Sequence, residues 1–257
     1  MILEFDAGNS CIKWRHLDPT NSVVEAEGSA VDVNGLMAAV IPERRPEFVR
    51  ICSVRGGAEV DEISSWIKGV WDLELHVAEV SRGCGGVSNH YSDTGKLGID
   101  RWLAMLAARQ RSSEPCVVVD SGTAITIDVL DAQGSHGGGF ILPGLRLMRE
   151  SLEAGTGIRL TTGYSLLSLQ PGHSTDAAVY NGTLSCLVAI IESVADSVLQ
   201  ASASQTVAPR LFFTGGDAEL LAESTSLPGI EVVAGLVLDG LAVACPYSRA
   251  GLDTETD

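Results

Sequence analysis

The feature that most constrains this chain is a short pattern that occurs twice. Asp6-Ala7-Gly8-Asn9-Ser10 and Asp120-Ser121-Gly122-Thr123-Ala124 each place an aspartate at the end of an apolar run, then a glycine turn, then a second run. The two lie 114 residues apart in a chain of 257. A lone hairpin is marginal in water and needs more strands or a packed helix. The repeat therefore predicts two related α/β domains, residues 1–114 and 115–257, facing each other across a cleft.

The pattern along the chain supports that division. Leu3 and Phe5, then Ile12 and Trp14, alternate around Gly8-Asn9-Ser10, which reads as a hairpin. Phe48–Val54 reads as a strand, Ala58–Val70 as a helix with Val60, Ile63 and Ile67 on one face, and Leu73–Val77 as a strand. Asp100–Arg111 reads as a helix. In the second half, Val117–Asp120 is an apolar strand, and Ile125, Ile127 and Val129 mark its return. Asp176–Leu199 carries a helical stripe, Leu211–Thr214 a strand, Glu231–Val233 another and Leu236–Ala244 a closing helix. Strands alternating with helices point to a largely parallel sheet covered on its faces.

Composition removes several classes of function. A net charge of −16 and a pI near 4.6 lack the basic face of a nucleic-acid binder or a polybasic membrane anchor. With 45% apolar and 19% charged residues, the chain can bury a sizeable core. At 5%, aromatic residues are too sparse for a base-stacking platform. The cysteines, Cys11, Cys52, Cys84, Cys116, Cys186 and Cys245, form no C-x-x-C pair and read as reduced, mostly buried thiols. The five histidines are scattered and read as surface or packing residues. Met1–Asp6 lacks the features of a signal peptide, and the apolar stretches near Leu187–Ile191 and Leu236–Cys245 fall short of a membrane span. The expectation is a cytoplasmic protein with no nucleic-acid or membrane partner and a frayed tail at Gly251–Asp257.

The glycine turns suit a metal–phosphate site. Glycine lets backbone approach an anion, successive turn N–H groups form an anion nest, and a strand-end carboxylate can hold hydrated Mg²⁺. Lys13 is one of only three lysines and follows the first turn. Ordinary hairpin turns use the same residues. Thr214-Gly215-Gly216-Asp217, between strand and helix, can take a nucleotide against bare backbone or serve as a tight turn capped by Asp217. Asp100 opens a helix after Gly98 and reads either as its N-cap or as a general base. Arg101 reads as a carboxylate-binding fork or a surface ion pair. Walker A, G-x-G-x-x-G, H-E-x-x-H and G-x-S-x-G patterns are missing.

Together the motifs form a set. D-A-G-N-S-C-I-K at Asp6–Lys13 and D-S-G-T-A-I-T-I-D at Asp120–Asp128 resemble the two phosphate motifs of the acetate and sugar kinase/heat-shock ATPase/actin superfamily. T-G-G-D at Thr214–Asp217 resembles its adenosine motif. L-G-I-D-R at Leu97–Arg101, G-G-F-I-L-P-G at Gly138–Gly144 and P-G-H-S-T-D-A-A at Pro171–Ala178 resemble type III pantothenate kinases in particular. The resemblance implies two ribonuclease-H-like, actin-like ATPase domains, with mixed sheets flanked by helices. It implies ATP-dependent phosphorylation of pantothenate to 4′-phosphopantothenate, the first step of coenzyme A synthesis.

By the same resemblance, Asp100 is the proton acceptor, and Tyr91, Gly98, Ile99 and Arg101 contact pantothenate. Thr175 joins them from the partner subunit of a homodimer, with the substrate pocket at the interface. ATP is held by Asp6, Ala7, Gly8, Asn9, Ser10, Cys11, Ile12 and Lys13, with Thr123, Gly215 and Gly216. Asp120 binds a monovalent cation (K⁺ or NH₄⁺), and Asp6 is assigned to Mg²⁺. Ala7 is a small departure, standing where relatives often carry another small residue. A related small-molecule kinase, or an accessory protein of the family without kinase activity, is the alternative.

Overall fold

A computed structural model describes residues 1–40, 44–161, 163, 166–201 and 208–248, so the tail expectation at Gly251–Asp257 lies outside the described residues. In chain order the elements are β1 (Ile2–Ala7), β2 (Ile12–Leu17), β3 (Val24–Ala30), α1 (Val33–Ala39), β4 (Phe48–Ser53), α2 (Gly57–Trp71) and β5 (Leu75–Val77). The short strands β6 (Gly83–Cys84) and β7 (Val87–Ser88), a 3₁₀ turn at Thr94–Lys96 and α3 (Ile99–Arg111) follow. Then come β8 (Cys116–Ser121), β9 (Ala124–Leu130), β10 (His136–Pro143), α4 (Leu145–Gly155), α5 (Thr175–Ala201), β11 (Arg210–Thr214), α6 (Ala218–Ser224), β12 (Ile230–Val232) and α7 (Leu236–Ala244).

The chain divides into two compact units. The first comprises Met1–Gly85, Tyr91–Ala107 and Leu236–Asp257, and the second Gly86–His90 and Ala108–Gly235. The first unit's sheet runs β3-β2-β1-β4-β5 and the second's runs β10-β9-β8-β11-β12, the same order. In each, the first three strands of the chain order pair antiparallel and the last two join parallel. The sheets are therefore mixed, as the family resemblance implies, and not largely parallel as the alternation alone suggested.

The units also differ from two consecutive halves. The division runs through α3, and α7 belongs with the first unit. The reason is electrostatic as well as apolar. Successive β1 side chains point to opposite faces, so Leu3, Phe5 and Ala7 enter a core with Val49, Ile51, Leu36, Ile63, Ile67 and Trp71. Glu4 points the other way and is fully buried between its register partners, Arg15 on β2 and Arg50 on β4. Arg15 Nε donates to Glu4, and Arg50 Nε donates to Glu4 Oε1 at 2.7 Å. The outer ends of both guanidiniums then reach α7 and the residue after it: Arg15 Nη1 bonds Asp239 Oδ1 at 2.7 Å, and Arg50 Nη1 bonds the Cys245 carbonyl at 2.6 Å. Gly240 of α7 lies so close to the Leu103 carbonyl of α3 that a Cβ there would be 1.9 Å away. Burial alone would lower the Arg15 pKa; Glu4 and Asp239 reverse that and raise it.

The second unit's core takes Val117, Val119, Ile125, Ile127, Leu211 and Phe213 from the sheet and Leu184, Leu187, Val188 and Ile191 from α5. At 27 residues, α5 is long and apolar enough to cross a membrane by length and composition, contrary to the sequence expectation. Its buried stripe on this core explains its hydropathy.

Several elements are absent from the sequence reading, β3, α1, β10 and α4 among them. β3 carries two glutamates and Gly28 on an exposed edge, so alternation is lost there; a Cβ on Gly28 would meet the Trp14 indole at 2.8 Å. α1 is only seven residues long, β10 contains three consecutive glycines, and α4 buries little beyond Leu145. The Glu4→Ala substitution leaves two buried guanidiniums without their shared carboxylate, and is expected to cost about 3–5 kcal/mol. Denaturant unfolding checks it; a loss under about 1 kcal/mol, the scale of an exposed pair, would refute this account of α7 docking.

Candidate active site

The face of the first sheet that carries Glu4 carries the candidate site at its C-terminal end. Register places Arg15, Glu4 and Arg50 in one row and Lys13, Asp6 and Cys52 in the next. Asp6 thus stands between a lysine on β2 and a thiol on β4. Cys52, fully buried, donates its S–H to Asp6 Oδ1 at 3.5 Å. Desolvation pushes the Asp6 carboxyl above the usual carboxylate range. Lys13 and the Cys52 thiol pull it back, and the charge of Asp100 pushes it up again. Burial and Asp6 together drive the Cys52 thiol well up, so it stays protonated and a donor.

Beyond Asp6 the chain turns through Gly8–Cys11, closed by Gly8 N–H donating to the Cys11 carbonyl at 3.1 Å. Asn9 and Ser10 are exposed at the tip. Ala7 and Ile12 are fully buried in the sheet and face the apolar core, so neither offers an open surface.

Asp100 lies in the first turn of α3, where the helix's free amides favour a negative charge. The Gly98 carbonyl accepts from Trp102 N–H at 3.0 Å, which makes Gly98, and not Asp100, the residue that starts the helix. Asp100 folds its carboxylate back on this end, Oδ1 accepting from Arg101 N–H at 2.8 Å. A Cβ on Gly98 would stand 2.6 Å from that oxygen. Glycine here leaves room for the Asp100 carboxylate, the end of a side chain. Arg101 is buried, its Nη1 donating to the Tyr91 hydroxyl at 2.9 Å; Arg82 holds the Tyr91 carbonyl at 2.9 Å. The first unit therefore gathers Asp6, Lys13, Asp100, Arg101 and Tyr91 through β1, β2, the loop before α3 and α3 itself.

In the second unit the rows read Asp128, Val118, Phe212 and then Thr126, Asp120, Thr214. Asp120 occupies the place in its sheet that Asp6 holds in the first. Its turn is tighter, with Gly122 N–H bonded to the Ala124 carbonyl at 3.0 Å, and Thr123 sits at its bend. Gly215, at φ +93°, follows β11 in a conformation that favours glycine. A Cβ there would meet the Ser121 carbonyl at 2.3 Å and Asp120 Oδ1 at 2.7 Å. Gly215 and Asp120 are thus packed together, with Gly216 exposed beside them. Asp217 occupies the N-cap position of α6 but makes no capping side-chain bond. Burial raises its pKa against the nearby Arg149 charge. Thr175 is the exposed first residue of α5; Ser174 is the cap, accepting from Ala177 N–H at 3.1 Å.

Several residues around the sites escaped sequence reasoning. Cys52 and Arg50 were signalled by polar residues alternating with Val49 and Ile51 in β4. Arg55, by its place before Gly56-Gly57 at a strand end, carried the same signature as the turns. The buried pair of His136 Nε2 and Asp128 Oδ1, 2.8 Å apart, had no local signal, and it makes His136 more than a packing residue. All six cysteines are free thiols; Cys52 and Cys116 are buried, Cys186 is exposed and the others are intermediate. No group of three metal-ligating side chains occurs among the described residues.

The repeated sheet order with a strand-end aspartate in each unit defines an actin-like, sugar-kinase-type fold. A Sinorhizobium meliloti protein named as a 2-dehydro-3-deoxygalactonokinase shares it at TM-score 0.53, with 15% identity over 95% of this chain and 98% of its own. A Campylobacter jejuni protein named for the Baf family of transcriptional activators superposes at TM-score 0.62, with 23% identity over 93% and 94%. The sequence model of the type III pantothenate kinase family matches residues 2–197. The type III pantothenate kinase of Ectopseudomonas mendocina is 41% identical over 96% of this chain and all of its own, and that of Pseudomonas aeruginosa 36% over 96% and 99%. The chain belongs to the type III pantothenate kinase family.

Because desolvation dominates at Asp6, ionisation of this group opposes folding at neutral pH in the absence of nucleotide and metal. Asp6→Asn removes that charge, so the variant is expected to melt above the wild type at pH 7 in EDTA. The difference should narrow as pH falls through the raised pKa, where the folded wild type also becomes neutral. Thermal melts across pH check it; an equal or lower melting temperature at pH 7 contradicts the assignment.

Proposed function

We propose that this chain transfers the γ-phosphoryl group of ATP to the primary hydroxyl of pantothenate, with Asp100 as proton acceptor. The observation that carries the reading is that one unit holds both Asp6, at the end of β1 beside Lys13, and Asp100, in the first turn of α3 with its carboxylate fixed by Arg101 N–H. A phosphate-end carboxylate and an acceptor carboxylate then serve the two ends of one in-line transfer.

Phosphoryl transfer has a loose transition state and depends on alignment and charge neutralisation. We assign Asp6 through Lys13 to the ATP phosphates, by the backbone of the exposed turn at Asn9 and Ser10 and by charge at Lys13, with Ala7 and Ile12 seating the two strands. In the second unit, Thr123, Gly215 and Gly216 are assigned to ATP. Asp6 fits Mg²⁺: it supplies one desolvated carboxylate, and among the described residues no further ligating side chains cluster with it, as suits an ion that keeps most of its waters. When bound, Mg²⁺ would supply charge neutralisation to the phosphates, with Asp6 holding it. Asp120 is assigned to a monovalent cation, for which its carboxylate offers a hard oxygen ligand.

At the acceptor, Asp100 Oδ1 is held by Arg101 N–H, which leaves Oδ2 to take the hydroxyl proton. The hydroxyl oxygen forms its bond to the γ-phosphorus while the bond to ADP breaks, and the proton passes to Asp100. Arg101 supplies the planar fork that suits the pantothenate carboxylate, steadied by the Tyr91 hydroxyl. Gly98 and Ile99 line the approach. Thr175 is assigned to the same substrate from a second copy of the chain in a homodimer. We place the protein in the cytoplasm, where its free thiols stay reduced.

A coupled assay of ADP release, with and without pantothenate and with and without K⁺, tests the activity; release independent of pantothenate would overturn it. Asp100→Asn is expected to lower kcat ~10²-fold or more while calorimetry still shows MgATP binding. A kcat within a few-fold of wild type would remove Asp100 from the acceptor role. Gly98→Ala meets only a side-chain end, so it should fold normally yet displace the carboxylate and lower kcat by roughly 10-fold. An unchanged kcat would show that Asp100 tolerates the shift.

A further inference from the structure

Arg55 lies just past β4, where its side chain reaches three separate segments of the first unit. Its Nε donates to the Gly8 carbonyl in the β1–β2 turn. Its Nη1 donates to Glu59 Oε1 in the first turn of α2 at 2.9 Å and stands 3.5 Å from the Val31 carbonyl ahead of α1. Its own N–H is held by Ser53 Oγ at 3.1 Å. The side chains of Arg55 and Glu59 are only 20% and 16% exposed, so the pair is shielded and its geometry fixed. A guanidinium bonded along two edges is a rigid plane, which an ammonium on a flexible stem cannot reproduce.

The consequence for the turn follows from peptide geometry. The Gly8 carbonyl and the Asn9 N–H belong to one planar trans unit and point in opposite directions. Gly8 N–H is already committed to the Cys11 carbonyl at 3.1 Å. With the carbonyl drawn toward Arg55, the Asn9 N–H is turned away from the guanidinium, at a tip where Asn9 and Ser10 are exposed. N–H groups aimed in this way are what an anion nest requires.

We propose that Arg55 is a positioning residue: by gripping the Gly8 carbonyl it aims the Asn9 N–H at the phosphates of ATP. The proposal rests on the assignment of Asp6–Lys13 to ATP made above. Arg55 itself acts through the backbone it holds, since Gly8 and Glu59 occupy two of its edges.

Calorimetric titration of the full chain with MgATP and, separately, with pantothenate tests it, alongside steady-state kinetics. Arg55→Ala is expected to weaken MgATP binding ~10-fold or more and to raise KM for ATP more than it lowers kcat, with pantothenate affinity unchanged. Arg55→Lys keeps the charge without the fork, so it is expected to stay as weak as the alanine variant. Should Arg55→Ala fail to give a cooperative melt, Arg55→Lys alone decides. Wild-type MgATP affinity in Arg55→Lys would show that charge suffices and overturn the positioning role, as would an equal loss of affinity for both ligands. Failure of the wild type itself to bind MgATP would instead overturn the functional reading.

Discussion

The Glu4 carboxylate, buried between Arg15 and Arg50, is the contact on which the first unit's active face depends. A buried carboxylate is tolerated only when paired and hydrogen-bonded, and here two guanidiniums provide both. Their outer nitrogens then hold Asp239 and the Cys245 carbonyl, so the last helix is seated by the same charges that solvate β1 from within. One row further along the strand lies Asp6. The position of the strand-end acid is therefore fixed on one side by an ionic lock and on the other by the apolar packing of Leu3, Phe5 and Ala7.

The second unit repeats the strand order with different chemistry beneath it. Val118 occupies the place of Glu4, and the charged pair moves outward to Asp128 and His136. What persists is the acid at the strand end followed by a glycine turn: Asp6 with Gly8, Asp120 with Gly122. The row behind the acid need only be buried and satisfied, whether by ions or by hydrocarbon. The acid and its turn must present oxygen and bare N–H groups to a ligand.

Glycine does distinct work at the site's close approaches. At Gly98 it leaves room for the Asp100 carboxylate, and at Gly215 it permits a left-handed turn against the Ser121 carbonyl. Both were visible as motif letters, and the reason for each is steric. The strands of the central motif were legible because alternation and the turn residues agree. β3, β10 and α4 were not, because their edge or glycine-rich positions need little apolar patterning. The thiol beside Asp6 and the guanidinium beneath the first turn were not read as site residues. Each is brought there by β4, whose pairing with β1 is parallel and long-range, and no local pattern encodes it.

Sequence alone determined the repeated hairpins, the acidic residues at their strand ends, the first-turn position of Asp100 and the family to which these motifs point. Those features are local: they depend on alternation, turn chemistry and spacing within about ten residues. Tertiary structure decided that the sheets are mixed, that α7 returns to the first unit, and that Cys52 and Arg55 meet the Asp6 turn from another segment. These are matters of pairing between distant strands and of where buried charges find partners, which only the folded chain fixes.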